Sequence, residues 1–66
     1  MTLDITLTPT AVWFNNLSDD ELFNLCKEYD SYEFKVNEKG VYVPGYPQKL
    51  YKLLLDLTYK YDVELR

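Results

Sequence analysis

Eleven carboxylates, seven tyrosines and one thiol are the side chains of this sequence that could carry chemistry. Histidine, the residue that general acid–base catalysis recruits most often, is absent. The thiol of Cys26 would need an adjacent base or a positive environment to act as a nucleophile, yet Glu21 and Glu28 lie close to it along the chain. We therefore expect Cys26 to be a small buried hydrophobic residue, and we expect the protein to have no catalytic residues and not to be an enzyme.

The acidic run at residues 19–21 could bind a hard cation, but the spacing of a calcium-binding loop is absent. Ser18 with Glu21 three residues later is instead the capping-box pattern of a helix start. A single cysteine without histidine excludes the usual Cys/His zinc sites. The two glycines, Gly40 and Gly45, fit turns rather than a phosphate-binding loop. The sequence therefore predicts no metal ion and no cofactor.

The net charge of −4 is unevenly distributed along the chain. Residues 1–33 contain seven acids and one lysine, for −6, whereas residues 34–66 contain six bases and four acids, for +2. Proteins that bind nucleic acid usually carry the opposite sign, because neutralising phosphates supplies much of their affinity. We therefore expect no direct binding to nucleic acid, and an acidic surface formed by the first half of the chain.

Acidic side chains and exposed tyrosines are the features best suited to contact a partner protein. Carboxylates complement a basic surface, and tyrosine provides a large contact area at low entropic cost. Tyr42 is predicted on the outward side of a hairpin, and Tyr46 in the loop that follows it. The predicted partner-binding residues are Asp19, Asp20, Glu21, Glu28, Asp30, Glu33, Tyr42 and Tyr46.

Composition and patterning indicate a compartment as well. One unpaired cysteine is typical of a reducing environment. The N-terminal residues lack the basic and apolar regions of a secretion signal. The longest apolar stretch, Leu50–Leu57, is interrupted by charges and is too short to span a bilayer. We expect a cytoplasmic protein without membrane contact.

Apolar periodicity divides the first third of the chain into a strand, an ambiguous segment and a helix. Residues 2–8 alternate between polar and apolar, which predicts a half-buried strand that Pro9 ends. Residues 10–17 fit either a second strand or a short helical turn, and the proline near their start favours the turn or helix. The capping box predicts a helix from about residue 19 to 30.

The rest of the chain reads as a hairpin, a second helix and a short strand. Residues 32–36 and 41–43 alternate on either side of a turn at 37–40. Helical spacing runs from residue 48 to about 59, with an unusually wide apolar face. Residues 62–65 alternate again.

These elements predict one α+β domain over residues 1–66 with the order β-α-β-β-α-β. This is the ferredoxin-like order, in which an antiparallel sheet carries both helices on one face. The alternative is β-α-β-β-α, with the last residues forming a frayed tail. A hydrophobic content of 47% argues against intrinsic disorder.

Two functions fit these expectations. The first is a small acidic module that binds a basic surface of a partner protein as an inhibitor or regulator. One form of it is a phage-type inhibitor that mimics nucleic-acid charge and blocks a host nucleic-acid enzyme or defence system. The second is a self-assembling structural or accessory protein, in which the wide apolar face of the second helix forms a homodimer through Leu50, Leu54 and Leu57.

Overall fold

A computed structural model describes residues 2–66 as five strands and two helices. In chain order they are β1 (Thr2–Leu7), β2 (Ala11–Phe14), α1 (Asp19–Glu28), β3 (Lys35–Asn37), β4 (Gly40–Pro44), α2 (Tyr51–Lys60) and β5 (Asp62–Leu65). The α+β class is confirmed, and the order of elements agrees with the prediction apart from the additional strand β2.

The five strands form one sheet with the spatial order β3-β4-β2-β1-β5. Three ladders are antiparallel, and the ladder between β1 and β5 is parallel. The sheet is therefore mixed, whereas the sequence predicts an antiparallel one. The reason is the additional strand β2, which is antiparallel to both β1 and β4, so that β4 runs parallel to β1. The helix α2 then carries the chain back across the sheet, and β5 runs parallel to β1 as well.

The ambiguous segment at residues 10–17 contains the strand β2, not the turn or helix that the proline favours. The hydroxyl oxygen of Thr8 accepts a hydrogen bond from the backbone N–H of Ala11 at 2.9 Å, and the Thr8 N–H donates to the Ala11 carbonyl at 3.0 Å. These bonds place Pro9 in a tight turn between β1 and β2. The chain therefore folds back at once as a hairpin, with Trp13 opposite Thr6.

The core lies between one face of the sheet and the two helices. Alternate residues of the three central strands point into it, as period-2 spacing requires. The helices contribute leucines and one tyrosine. The buried cluster consists of Leu3, Ile5, Val12, Phe14, Leu25, Tyr29, Val41, Val43, Leu50, Leu53 and Leu57.

The start of each helix reflects its local sequence. In α1 the capping box is present as predicted: the Ser18 hydroxyl accepts from the Glu21 N–H, and the Glu21 carboxylate accepts from the Ser18 N–H. In α2 no side chain caps the N-terminus, and residues 47–50 form a preceding turn instead. The helix therefore begins at Tyr51, three residues later than predicted.

The last element, β5, is an ordered edge strand, so the alternative of a frayed tail is wrong. It pairs with β1 from Thr2 opposite Asp62 to Ile5 opposite Leu65. Beyond β5, the Arg66 N–H donates to the Ile5 carbonyl at 2.8 Å. The guanidinium of Arg66 also donates to the carboxylate of Asp4 at 2.7 Å.

Candidate functional site

The six acids predicted to bind a partner do not form one patch. Asp19 and Asp20 are exposed in the first turn of α1, whereas Asp30 and Glu33 are exposed beyond its end. A helix of ten residues is about 15 Å long, so these two pairs are separated by roughly that distance. The structure therefore splits the predicted acidic surface into two smaller groups.

Glu21 acts in the helix cap. Its carboxylate accepts a hydrogen bond from the Ser18 N–H at 3.0 Å, and this bond is the main reason that the pKa of Glu21 lies below its ordinary value. The charge complements the positive end of the helix dipole. Glu21 is only partly exposed, so its principal role is to fix the start of α1.

Glu28 belongs to a network that joins the two helices. The ammonium of Lys60 lies 2.6 Å from the Glu28 carboxylate and 3.6 Å from that of Asp56, and the Tyr29 hydroxyl donates to Asp56. Lys60 lowers the pKa of Glu28, and Glu28 raises that of Lys60. Burial, followed by the bond to Asp56, raises the pKa of the Tyr29 phenol. Glu28, which the sequence predicts as a partner-binding residue, therefore joins α1 to α2 through Lys60.

Glu33 is likewise close to a cation, since its carboxylate lies 3.5 Å from the ammonium of Lys35. Both side chains are well exposed, and such pairs are weak in water. Among the described residues, no lysine or arginine forms an ion pair with Asp19, Asp20 or Asp30. The most accessible negative charge on the helix is therefore at its start.

Phe23 is an exposed aromatic residue that the sequence analysis does not select. It lies three and four residues after Asp20 and Asp19, hence on the same side of α1, and 64% of its surface is exposed. The ammonium of Lys27 lies 5.4 Å from the ring centroid. We refer to Asp19, Asp20 and Phe23 as the α1 surface. The spacing of Leu22 and Leu25 on the buried side is the signal that could have identified Phe23 as outward-facing.

Tyr42 lies on the sheet face opposite the helices, as the predicted alternation requires. Its ring stacks on Trp13 of the neighbouring strand, with the centroids 4.6 Å apart and the planes at 28°. Both rings are half-buried by this contact. We call this side of the sheet the open face. Because α1 packs on the other side, Tyr42 and the α1 surface do not belong to one contact area.

Tyr46 lies in the loop between β4 and α2, and 53% of its surface is exposed. Its backbone carbonyl accepts hydrogen bonds from the N–H groups of Lys49 and Leu50, at 3.0 and 3.2 Å. The backbone of this loop is thus fixed while the phenol points outward. The eight predicted residues therefore do not form one site: they are divided among the α1 surface, the α1 cap, the network between the helices, the segment after α1, the open face and this loop.

Two of the three residues predicted to form a dimer face on the second helix are not available on the surface, so the prediction is wrong for them. Leu50 and Leu57 are buried in the core of the domain, and Leu54 is half-buried against it. Helical spacing cannot show how much of a wide apolar stripe one sheet covers. The apolar side chains of α2 that stay exposed are Tyr51, Leu55 and Tyr59.

Tyr51 and Leu55 border a shallow apolar groove between α2 and β5. Its lining consists of Tyr51, Leu54, Leu55, Thr58, Val63 and Leu65. Leu65, the last residue of β5, is itself largely exposed. We call this surface the α2–β5 groove.

The described residues show no group of carboxylate or thiol side chains arranged to hold a metal ion. Cys26 is half-buried on α1, rather than fully buried as predicted. Neither described helix has the length and the apolar character needed to cross a membrane.

No protein-family model matches this chain, and neither a curated protein nor a solved structure does.

Proposed function

We propose that this protein is a small acidic binding module that uses the α1 surface to dock on a basic surface of a partner protein. One observation carries the proposal. Two carboxylates without an ion-pair partner among the described residues stand beside Phe23, an aromatic ring with 64% of its surface exposed.

An exposed aromatic ring with two carboxylates on one side and the ammonium of Lys27 on the other is suited to a protein interface. The ring excludes water from the centre of the contact, and the two carboxylates favour a partner with a basic surface and accelerate association. The capping box makes this arrangement rigid, because it fixes the turn from which Asp19 and Asp20 project. Little conformational entropy is then lost on binding.

The partner is proposed to be inhibited or regulated by occlusion, since binding would cover its basic surface without chemical change. In the narrower form of the proposal, that basic surface is the nucleic-acid groove of a host enzyme or defence system, and the module is of the phage-encoded kind. The support for it is the net charge of −4 together with the acidic start of α1.

The test is affinity capture from cell lysate with two variants of the α1 surface and one charge-reversal control outside it. Asp19→Lys/Asp20→Lys and Phe23→Ser alter the α1 surface. Glu38→Lys in the hairpin turn is the control, because Glu38 is equally exposed and lies outside α1. We expect the first two to lose the captured protein and the control to retain it, with binding by the wild type weakening as salt rises.

A protein captured equally well by all variants would contradict the proposal. The narrower form is tested on the captured protein by adding an oligonucleotide. Competitive release supports nucleic-acid mimicry, whereas simultaneous binding of module and oligonucleotide contradicts it. Direct binding of the oligonucleotide to the module alone would contradict the proposed role of its acidic charge.

A further inference from the structure

The strand β5 has one unused backbone edge. Within residues 2–66 it lies at the end of the sheet order and pairs with β1 alone. Arg66, just after it, directs both its N–H and its carbonyl toward β1, bonding Ile5 and Leu7. Because residues of a parallel ladder alternate in direction, Val63 and Leu65 direct their N–H and carbonyl groups away from β1. These groups form a template for a further strand.

The two faces beside this edge differ in chemistry. On the helix side, Val63 and Leu65 border the α2–β5 groove, whose lining is almost entirely apolar. On the open side, Asp62 and Glu64 are exposed, and neither has an ion-pair partner among the described residues. The nearby Asp4 is already paired with Arg66.

We propose that the β5 edge is a strand-addition site for an extended segment of another protein in which apolar and basic residues alternate. The backbone of that segment would bond Val63 and Leu65. Its apolar side chains would enter the α2–β5 groove, and its basic side chains would lie beside Asp62 and Glu64. Opposite charges on neighbouring strands stabilise a sheet, and alternation is what places the two kinds of side chain on different faces.

A second copy of this chain fits the same edge less well. If two β5 strands paired antiparallel about Glu64, each Glu64 would lie opposite the other. If they paired about Val63, Asp62 would lie opposite Glu64. Like charges placed directly opposite each other destabilise a ladder. Arg66 would lie opposite Asp62 in the register about Glu64, and opposite Glu64 in a register about Leu65, but its guanidinium is already bonded to Asp4 of its own chain. A basic segment meets the carboxylates of β5 without such repulsion, so the charges favour it over self-pairing.

The probe is a short synthetic peptide in which valine alternates with lysine, and binding is measured by fluorescence anisotropy. Three control peptides separate non-specific attraction, backbone pairing and charge complementarity. A scrambled peptide of the same composition tests non-specific attraction to an acidic protein. A second peptide replaces a central valine with proline, which removes a backbone donor. A third replaces every lysine with glutamate. We expect only the alternating valine–lysine peptide to bind the wild type.

Variants of β5 test whether the peptide contacts its carboxylates and its outward backbone N–H groups. Asp62→Lys/Glu64→Lys should lower the affinity of the protein for the valine–lysine peptide by about tenfold and raise its affinity for the valine–glutamate peptide. Leu65→Pro should weaken peptide binding by about tenfold relative to Leu65→Ala, since the proline removes an outward N–H that has no acceptor among the residues the structure describes. Circular dichroism establishes that each variant is folded.

Equal binding of the alternating and scrambled peptides would overturn the proposal. So would an Asp62→Lys/Glu64→Lys variant that still prefers the valine–lysine peptide to the valine–glutamate peptide. Sedimentation showing a dimer that Leu65→Pro converts to a monomer would assign the edge to self-assembly instead, which also overturns it. Asp19→Lys/Asp20→Lys should leave peptide binding unchanged, so a failure of this proposal is distinguishable from a failure of the proposed role of α1.

Discussion

Single side chains couple the two helices at the network of Glu28, Tyr29, Asp56 and Lys60. Tyr29 is the one tyrosine of the buried cluster, and its hydroxyl reaches a carboxylate of the other helix instead of staying unpaired. An unsatisfied polar group at that depth would be unfavourable. Lys60 then bridges the carboxylates of both helices. The network explains why this end of α1 contributes to stability rather than to an exposed acidic surface.

The network predicts a pH dependence of stability. Because the pKa of Glu28 is lowered in the folded state, its ionised form contributes stability above the ordinary pKa of 4.5, and this contribution is lost as the pH falls through the lower folded value. Lys60→Met removes the main cause of the lowered pKa. We expect the acid-induced loss of stability, measured by urea unfolding between neutral pH and about pH 3, to be smaller in Lys60→Met than in the wild type. Lys52→Met, at an exposed position of the same helix, should keep the wild-type dependence. Identical profiles for all three proteins would contradict this prediction.

Sequence alone could identify some residues of the candidate surfaces and not others. Asp19 and Asp20 follow from the capping box, since acids are favoured in a first helical turn. The partner of Glu28 could not be predicted, because Lys60 is 32 positions away and meets it only after both helices pack. The outward position of Phe23 could be inferred from the spacing of Leu22 and Leu25, but its degree of exposure depends on how α1 packs on the sheet.

At the scale of the elements, α2 shows where an apolar stripe divides into core and surface. Leu53 and Leu57 are buried against the sheet, whereas Leu55 projects on the other side and remains 42% exposed. The helix therefore packs on the sheet through a narrow row of leucines. The remaining apolar side chains of α2 are exposed, and two of them, Tyr51 and Leu55, line the α2–β5 groove.

This division predicts opposite results for two substitutions on the same helix. Leu57→Ala removes a completely buried side chain and should lower the free energy of unfolding by about 2–5 kcal/mol. Since a domain of this size commonly has roughly 3–5 kcal/mol in total, much of the variant should be unfolded. Leu55→Ala should change the value by less than about 0.5 kcal/mol. Urea denaturation followed by circular dichroism measures both, and a large loss at Leu55 would show that its side chain is covered, for example by self-association.

The strand β2 illustrates why an element can escape sequence analysis. Ala11, Val12 and Phe14 are all buried because β2 lies between β1 and β4, so the polar–apolar alternation that reveals half-buried strands is absent. A short apolar run of this kind is equally compatible with a buried turn of helix. By contrast, β1 alternates strictly because only one of its faces packs on the core.

At the scale of the whole molecule, the accessible surface of the domain is several times larger than the area that one protein interface buries. The domain measures 28 × 27 × 24 Å and exposes 4581 Å². A standard interface buries about 800 Å² on each partner, which is about a sixth of this surface. The α1 surface and the β5 edge lie on different elements, so the domain has room for two partners at once.

The topology also predicts the order of folding events. The ladder between β1 and β5 joins positions as distant as Leu3 and Val63, whereas the β1–β2 hairpin is local. Closing a long loop is entropically unfavourable until other contacts form, so β5 should dock late. Val63→Ala should therefore raise the unfolding rate about fivefold and leave the folding rate nearly unchanged.

Stopped-flow denaturant series measure both rates. Val12→Ala, in the hairpin, serves as the comparison and should mainly slow folding. A Val63 variant that folds as slowly as the Val12 variant would mean that the β1–β5 ladder already exists in the transition state.

The stack of Trp13 on Tyr42 gives this molecule an optical reporter of its own. Trp13 is the single tryptophan, and its indole lies at the middle of the open face. The α1 surface lies across the sheet from it, and β1 separates it from β5. Indole emission responds to ring contacts and to polarity in its immediate surroundings. A partner that covers the open face will shift this emission, whereas a partner held by α1 or by β5 will leave it unchanged, so an unlabelled titration shows whether a partner occupies the open face.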